Sequence, residues 1–420
     1  MIGRSVSLTS IMAHVVAATF PLVCLTAVSF ADDSPQWRGP NRDGKYAETG
    51  LLSEWPADGP KLLWTVDGIG EGYSSVAVAG GAVYTTGMAP DTHRGLLTSF
   101  ALDGSRKWQV DYGAEWEGLQ PGARCCPTVQ DGRVYVVAAH GQLVCADAKT
   151  GKNVWAVDIA ERFGGALPMR GFAESLLIVG DTVICTPGGP DACVAALNKD
   201  TGETVWTTKG LSEQAAYCSP ILVERGGLRL IVTMPALSIV GIDAANGAVV
   251  WRQPFDENET MQNHSVTPVY SDGLLYATSG HRKGGRMYAL SADGRSISLK
   301  WEDEVLNTLH GGLVFTGGYV YGSSSAHRWV CLRAGDGNVM YRASGLEMGS
   351  IVYADGNFYC YGEKGTLALV RASPEAFAIT SSFKIAAGEG QHWAHPVIAN
   401  GRLYIRHGDT LSAFDIGATR

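Results

Sequence analysis

Two adjacent cysteines have the spacing that most directly suggests chemistry in this 420-residue chain. Cys125 and Cys126 stand at the start of a predicted β-strand in the stretch ARCCPTVQDGRVYVV. A reduced cysteine is a good small core residue. A bond between the two would instead close a small ring with a distorted or cis peptide, which is costly unless the surroundings hold it. Both interpretations are open. Cys185 and Cys193, which flank a seven-residue loop, form a second candidate bridge.

Polar and aromatic residues recur at the starts of other predicted strands. We expect the following residues to meet in one small region: Arg124, Arg170, Asn263, His264, His310, His392, Trp393 and His395. Converging histidines can bind a metal through neutral imidazole or transfer a proton. The competing interpretation is that they bond neighbouring backbone. No pair has a spacing such as His-x-x-x-His, and His392 and His395, three apart on a strand, would point to opposite faces.

The elements that would position these residues are copies of one unit. LVCADAKTGKNVWAV, VAALNKDTGETVWTT and IVGIDAANGAVVWRQ each predict a strand, a turn of the type Asp/Asn-x-x-Thr/Asn-Gly, and a second strand with a tryptophan. The Asp or Asn side chain can bond the turn backbone and the glycine takes a positive φ, so each unit is predicted to be a β-hairpin.

Two independent series count eight such units. Two-residue turns precede the second strand of each unit at eight places, from Gly80-Gly81 to Asn400-Gly401. An aromatic residue closes each unit at intervals of 40 to 51 residues, the length of a four-stranded propeller blade, at Trp64, Trp108, Trp155, Trp206, Trp251, Trp301, Tyr341 and Phe383. The sequence therefore predicts an all-β, eight-bladed β-propeller. The N-terminal strand, residues 61–66, is expected to join the last blade and close the ring.

The chain divides into three predicted parts. Residues 1–31 have the pattern of a cleaved signal peptide, with Arg4, an apolar run and a small-residue end. Residues 32–60, rich in Pro and Gly, are expected to form an arm over the ring, and residues 61–416 the propeller. The apolar run is short for a membrane-spanning helix. This organisation predicts a periplasmic or secreted protein with no stable membrane span.

The charge of the exported part narrows the classes of partner. Removal of residues 1–31 leaves 32 basic and 41 acidic residues, a net charge of −9. A mildly acidic chain without a basic run argues against nucleic acid as a partner.

The repeated units resemble those of pyrroloquinoline-quinone (PQQ) enzymes. The whole chain resembles exported PQQ-like propeller proteins of unassigned function, in the stretches QWRGPNRDG, VICTPGGPDACVAALNKDTGETVW, SIVYADGNFYCYGEKGTLALVRASPEAF and WAHPVIANGRLYIRHGDTL. A more distant resemblance extends to quinoprotein alcohol dehydrogenases and to the propeller lipoprotein that helps assemble outer-membrane proteins. The resemblance implies the fold but not the activity, because a fold does not fix a function.

The resemblance to alcohol-oxidising quinoproteins implies specific roles. In those enzymes a disulfide between adjacent cysteines covers PQQ, and a calcium ion polarises it. By resemblance, the cofactor-binding candidates are Cys125, Cys126, Arg124, Arg170 and Trp393, and the metal candidate is Asp191. The floor tryptophan, the Thr-Gly-Asn calcium segment and the base aspartate of that family have no match here. His264 is therefore the candidate base.

These observations support one leading hypothesis and two alternatives. The leading hypothesis is a binding or scaffold module that receives another protein or a small ligand at the mouth of the channel, near Asn263, His264, His310 and His395. The first alternative is a PQQ- and calcium-dependent dehydrogenase that oxidises an alcohol or sugar. The second is a hydrolase or metal-site enzyme that uses the mouth histidines.

Overall fold

The strands of this chain form eight separate sheets. The computed structural model describes residues 1–3, 33–255, 264–280, 284–326 and 328–418. Each sheet has four antiparallel strands, and one gains a fifth strand. The predicted eight-bladed β-propeller is confirmed. The predicted signal peptide falls almost wholly within residues 4–32, outside the described residues.

The first four blades each use four consecutive strands, ordered here from innermost to outermost. Blade 1 contains Ala77–Ala79, Ala82–Met88, Arg94–Ala101 and Arg106–Ala114. Blade 2 contains Thr128–Gln130, Arg133–Val137, Gln142–Asp147 and Asn153–Asp158. Blade 3 contains Leu177–Val179, Thr182–Cys185, Ala195–Asn198 and Thr204–Thr207. Blade 4 contains Ile221–Arg225, Leu228–Thr233, Ser238–Asp243 and Val249–Pro254.

The last blade is the one that closes the ring. Blade 5 contains Val269–Ser271, Leu274–Thr278, Gly285–Leu290 and Ile297–Asp303. Blade 6 contains Leu313–Thr316, Tyr319–Ser324, Arg328–Arg333 and Val339–Ala343. Blade 7 contains Gly349–Ala354, Asn357–Gly362, Thr366–Arg371 and Ile379–Lys384. Blade 8 contains Val397–Ala399, Arg402–His407 and Thr410–Asp415, and its outermost strand is the N-terminal Lys61–Val66. The predicted closure of the ring is confirmed by the pairing of Leu62 with Phe414.

Helix is almost absent from the described residues. Within them the one α-helix is Ile159–Phe163, which begins after Asp158 and ends at Gly164, where φ is +67°. In the same part of the chain, no helix has the length and apolar character needed to cross a membrane.

Tight turns connect the two inner strands of each blade. Asp131 and Gly132 both have positive φ, 51° and 73°, as do Asp355 and Gly356, at 45° and 77°. Two successive positive φ values define the hairpin turn whose twist matches that of the flanking strands, and Asp, Asn and Gly adopt them most readily. The two-residue turns that the sequence predicts, such as Asp131-Gly132, therefore form real hairpins.

The repeated aromatic residues connect neighbouring blades. The indole Nε1 of Trp206, in the outermost strand of blade 3, donates a hydrogen bond to the Ala244 carbonyl of blade 4 at 3.2 Å. The Trp206 ring lies against Gly247, where a Cβ would come within 2.5 Å of it. Equivalent indole bonds to the next blade are made by Trp64, Trp108, Trp155, Trp251 and Trp301. Six of the eight outer strands are thus fastened to the next blade by an indole hydrogen bond.

The N-terminal arm takes a path that the sequence did not predict. We expected it to lie over the ring, but its first half, residues 34–46, runs along the innermost strands inside the channel. Its second half contacts blades 7 and 8 farther out, where the Trp55 backbone N–H donates to Ser381 Oγ. The backbone of Ser34 bonds Val78 of blade 1, and Lys45–Tyr46 forms the fifth strand of blade 7, parallel to its innermost strand. An inner strand leaves one edge of backbone groups unpaired, and the arm supplies partners for several of them.

Two buried arginines anchor the arm in the channel. Arg42 donates to the carbonyls of Ser175 and Leu176 at the start of blade 3. Arg38 donates to the carbonyls of Leu313 and Ile351 in blades 6 and 7. Both side chains are almost fully buried, at 1% and 2% exposure, and this desolvation lowers the pKa of each guanidinium to about 10. Both therefore remain charged at neutral pH, held by backbone carbonyls on opposite sides of the channel.

Candidate functional site

A cavity of about 540 Å³ opens at the end of the channel where the innermost strands begin. Each blade contributes to its wall from the segment that leads into its innermost strand. In blade order, these residues are Tyr73, Arg124, Ala173, Tyr217, Ser265, Leu309, Met348 and Trp393. We call this space the mouth cavity. It is built from one recurring position of the repeat.

Hydrogen bonds between blades hold that position in place. The backbone N–H of Cys126 donates to Ser175 Oγ at 3.0 Å, and the N–H of Ser175 donates to Ser219 Oγ at 2.9 Å. Thr267 Oγ1 then donates to the Ser219 carbonyl at 2.9 Å. Ser175 and Ser219 themselves line the cavity, so these bonds fix the strand starts at its wall.

Trp37 of the arm closes the inner side of the mouth cavity. It lines the cavity, and the arm residues that follow it bond inner strands deeper in the channel, such as Leu313 and Ile351. Its ring meets that of His395 edge-on at 5.4 Å between centroids. The cavity is therefore a recess with a floor, and the arm is part of the site.

Two arginines lie on one wall. Arg170 Nε donates to Gln120 Oε1 at 3.1 Å, and Arg124 donates to the carbonyls of Gln120 and Gly122. Arg124 also lies 5.6 Å from the centroid of the Tyr73 ring. Partial burial lowers the pKa of the Arg124 guanidinium. Loop carbonyls thus orient both cations beside the cavity.

The wall that continues from Tyr73 through Trp393 combines aromatic rings with a contact between a histidine and a carboxylate. Trp393 lies 5.0 Å from the ring centroid of Tyr73 and 5.0 Å from that of His310. His310 Nε2 is 3.1 Å from a carboxylate oxygen of Glu363, which also lines the cavity. This wall offers stacking surface and a carboxylate that already has a partner.

His395 is held as a neutral imidazole. Arg38 Nη1, which can only donate, is 2.9 Å from Nδ1, so Nδ1 accepts. Nε2 lies 2.9 Å from the His310 carbonyl and therefore carries the proton. Burial, and then the charge of Arg38, hold the pKa of His395 well below its usual range. This histidine positions Trp37 and the His310 backbone and is not available as a proton carrier at neutral pH.

The other predicted mouth histidines do not line the cavity. His264 is fully buried, with Nδ1 2.6 Å from the Pro235 carbonyl, because it neighbours the lining residue Ser265 and points the other way along the strand. His392 stacks on His407 at 3.6 Å between ring centroids, and burial, followed by the charge of that neighbour, lowers its pKa to about 4. Asn263 lies outside the described residues.

The adjacent cysteines lie in the core beneath the cavity. Cys125 and Cys126 are free thiols at 1% and 0% exposure, and neither lines the cavity. Burial raises the pKa of the Cys126 thiol to about 12, so it stays protonated. Cys185 and Cys193 are also free thiols, and they belong to two different hydrophobic clusters. Neither candidate bridge is formed. Cys185 and Cys193 face opposite sides of blade 3, which keeps their thiols apart.

The residues implied for PQQ and calcium are only partly assembled. Arg124, Arg170 and Trp393 line the mouth cavity, whereas the cysteine pair does not. Asp191 is exposed in a loop of blade 3, away from the cavity. Across the residues that the structure describes, no group of three or more His, Cys, Asp or Glu is placed to hold a metal ion. These residues do not fit a calcium-dependent quinone site.

The lining residues that sequence reasoning missed include Trp37, Tyr73, Gln120 and Tyr217. Tyr73 and Tyr217 occupy the same position of the repeat as Arg124, so aligning all eight strand starts could have found them. Trp37 and Gln120 lie in the arm and in a loop, where the repeat gives no register. Their placement depends on long-range contacts that a local pattern does not encode.

A buried carboxyl group lies near the arginine wall. Glu115 is 2% exposed and accepts a hydrogen bond from the Tyr112 hydroxyl. Burial raises its pKa to about 7, although the Tyr112 hydrogen bond and the charge of Arg124 act in the opposite direction. A carboxyl group whose pKa is raised by folding stabilises the folded state below its unfolded pKa, near 4.5, and this contribution is lost as the pH rises through about 7.

We expect Glu115→Gln to flatten the pH dependence of stability. Relative to the unchanged protein, the variant should gain about 2 to 3 kcal/mol in the free energy of unfolding between pH 5 and pH 8, because glutamine does not ionise. Urea unfolding at several pH values measures the difference. Glu203→Gln, at an exposed position, is the control. Curves for Glu115→Gln and the unchanged protein that run parallel would contradict the prediction.

The blades, the indole bonds between them and the closed central recess together define a PQQ-type β-propeller protein. A PQQ-repeat family model, described as outer membrane protein assembly factor BamB, matches residues 93–343. The chain belongs to this family.

Curated relatives fall into two groups. Quinoprotein alcohol dehydrogenase PedH of Pseudomonas putida is 27% identical over 57% of this chain and 39% of its own length. A quinoprotein ethanol dehydrogenase of Pseudomonas aeruginosa is 32% identical over 36% of this chain and 25% of its own length. BamB of Yersinia pestis is 24% identical over 68% of this chain and 71% of its own length. The chain thus spans well under half of these dehydrogenases.

Solved structures show the same two groups and support the fold alone. BamB from Moraxella catarrhalis superposes with a TM-score of 0.63 at 17% identity, over 86% of this chain and 98% of that one. Quinohemoprotein alcohol dehydrogenase from Comamonas testosteroni gives a TM-score of 0.71 at 13% identity, over 92% of this chain and 81% of that one.

Proposed function

We propose that this chain is an exported binding module that receives a partner chain or a small ligand in the mouth cavity. The observation that carries the proposal is a recess built from one position of all eight blades and closed by Trp37. Concave sites with apolar walls and a few convergent polar groups are the usual form of binding sites. The signal-like residues 1–31 and the outer membrane assembly factors among the relatives support a periplasmic or secreted location.

Capture from an extracytoplasmic extract of the producing organism tests this function. The bait proteins are the mature chain, the mouth variant Arg124→Gln/Trp393→Ala, and the control Arg333→Gln, whose arginine is exposed and pairs with Asp336 in blade 6. We expect at least one component to bind the unchanged and control proteins and to be lost from the mouth variant. Equal retention by all three proteins, or no retention by the unchanged protein, would argue against a mouth-centred function.

The alternative of a PQQ dehydrogenase is favoured by the quinoprotein relatives and by the position of Arg124 and Arg170. It is opposed by the buried thiols and by the displaced Asp191. Titration of the mature protein with PQQ, with and without Ca²⁺ and followed by tryptophan fluorescence, separates the two functions. We expect no calcium-dependent quenching up to tens of micromolar PQQ. Saturable, calcium-dependent quenching that weakens in Cys125→Ala/Cys126→Ala would establish the enzyme.

A further inference from the structure

Neither arginine of the mouth cavity forms an ion pair with a described residue, although the charge of Arg124 acts on the nearby buried carboxyl of Glu115. Among the described residues, no carboxylate oxygen lies within 4.0 Å of a nitrogen of Arg124 or Arg170, although the chain as a whole is acidic. Arg124 uses one N–H of each terminal nitrogen on a loop carbonyl and retains the other. Arg170 bonds Gln120 through Nε. The remaining donors of two neighbouring guanidinium groups suit one carboxylate, which accepts several charge-assisted bonds.

The cavity ends at Trp37. Below that ring, Arg38 is buried and bonds to blades 6 and 7, and Lys45–Tyr46 continues the arm along blade 7. No extended chain can pass through such a recess. A polypeptide can therefore enter it only with a terminus or a bend, and of these only the C-terminus brings a carboxylate to the two arginines. The apolar part of the wall, which includes Tyr73, Leu309 and Trp393, suits an aromatic or branched side chain beside that end.

Exposed apolar side chains lie just outside the wall that contains Arg124 and Arg170. Leu119 is 68% exposed and Met169 is 64% exposed. They directly neighbour Gln120 and Arg170, whose side chains are hydrogen-bonded to each other at 3.1 Å. The two loops thus meet at the arginine wall and offer apolar contact beyond the cavity. An occupant that used both surfaces would be longer than the recess itself.

We infer that the mouth cavity binds the carboxyl terminus of a polypeptide. Arg124 and Arg170 hold the terminal carboxylate, the last side chain packs against the adjoining rings of Tyr73 and Trp393, and the preceding residues cross Leu119 and Met169. This inference rests on the proposed function and names its partner class.

Fluorescence anisotropy with end-labelled pentapeptides tests the inference. The probes are peptides ending in phenylalanine, leucine or valine, each made as the free acid and as the C-terminal amide, and N-acetylphenylalanine is an unlabelled competitor. We expect at least one free acid to bind at least about tenfold more tightly than its amide, because the amide lacks the charge that the arginines recognise. Arg124→Gln/Arg170→Gln should reduce the affinity for the acid to that for the amide, and Arg333→Gln should not.

The outcomes are distinct. Equal affinity for acid and amide, or no binding of any peptide up to about 1 mM, would overturn the inference. N-acetylphenylalanine that binds as tightly as the peptides would also overturn it, in favour of a site for small carboxylates. Because urea midpoints of the variants are measured in parallel, loss of fold is separated from loss of binding. The extract experiment can also succeed while acid and amide peptides bind with equal affinity. That combination would leave the proposed function standing and remove only this partner class.

Discussion

Replacement of Arg42 by alanine is expected to lower the free energy of unfolding by about 3 to 5 kcal/mol. The side chain is 1% exposed, and it donates to the carbonyls of Ser175 and Leu176 and to Gln36 Oε1 at 3.0 Å. Its removal leaves buried acceptors without partners and a void between the arm and blade 3. The shift of the urea unfolding midpoint measures the loss.

Two further variants make this result specific. Arg42→Met fills most of the same volume without donors, and should lose nearly as much stability as Arg42→Ala if the hydrogen bonds are the cause. Arg106→Ala removes an exposed arginine and should change the free energy of unfolding by less than about 0.5 kcal/mol. A loss in Arg42→Ala no larger than that in Arg106→Ala would show that the arm is not anchored by this residue.

Replacement of Trp206 by alanine is expected to cost about 3 to 5 kcal/mol in the free energy of unfolding. The ring is 8% exposed, covers Gly247 and donates from Nε1 to the Ala244 carbonyl. Truncation would leave a cavity between blades 3 and 4 and remove one bond of the series that joins neighbouring blades. Thermal and urea unfolding both report the effect.

The neighbouring residue provides the matched control. Val205 lies in the same outermost strand at 52% exposure, so Val205→Ala should leave the free energy of unfolding nearly unchanged. Trp206→Phe keeps a ring and loses only the N–H donor, so it should cost about 1 kcal/mol from the hydrogen bond, with a further contribution from the smaller ring. A Trp206→Ala protein as stable as Val205→Ala would contradict a fastening role for the ring.

Periodic features of the sequence predicted the fold. The aromatic series and the turns such as Asp131-Gly132 report local hairpin chemistry, and a tight turn joins the two inner strands of every blade. The predicted strand at residues 61–66 had no partner strand before it, and the last unit lacked an outermost strand. The sequence therefore also predicted the closure of the ring.

The site was predicted only where it follows the repeat. Arg124 and Trp393 were found because they stand at a recurring strand start, whereas His264 was assigned to the cavity although the strand turns it away. The sequence did not predict the path of the arm. Its bonds join Ser34 to Val78 and Arg38 to Ile351, and nothing within a window of a few residues encodes such distant partners.

The closure of the ring has a consequence for how the protein is made. Leu62 and its partner Phe414 stand at opposite ends of the propeller sequence, so Leu62 is synthesised long before Phe414. Blades 1 to 7 can form their hairpins in order, but blade 8 must wait, with Lys61–Val66 unpaired, until Thr410–Asp415 is available. Contacts so distant in sequence slow folding and leave a strand edge open to other chains. The propeller is therefore expected to depend most on protection from aggregation before its ring closes.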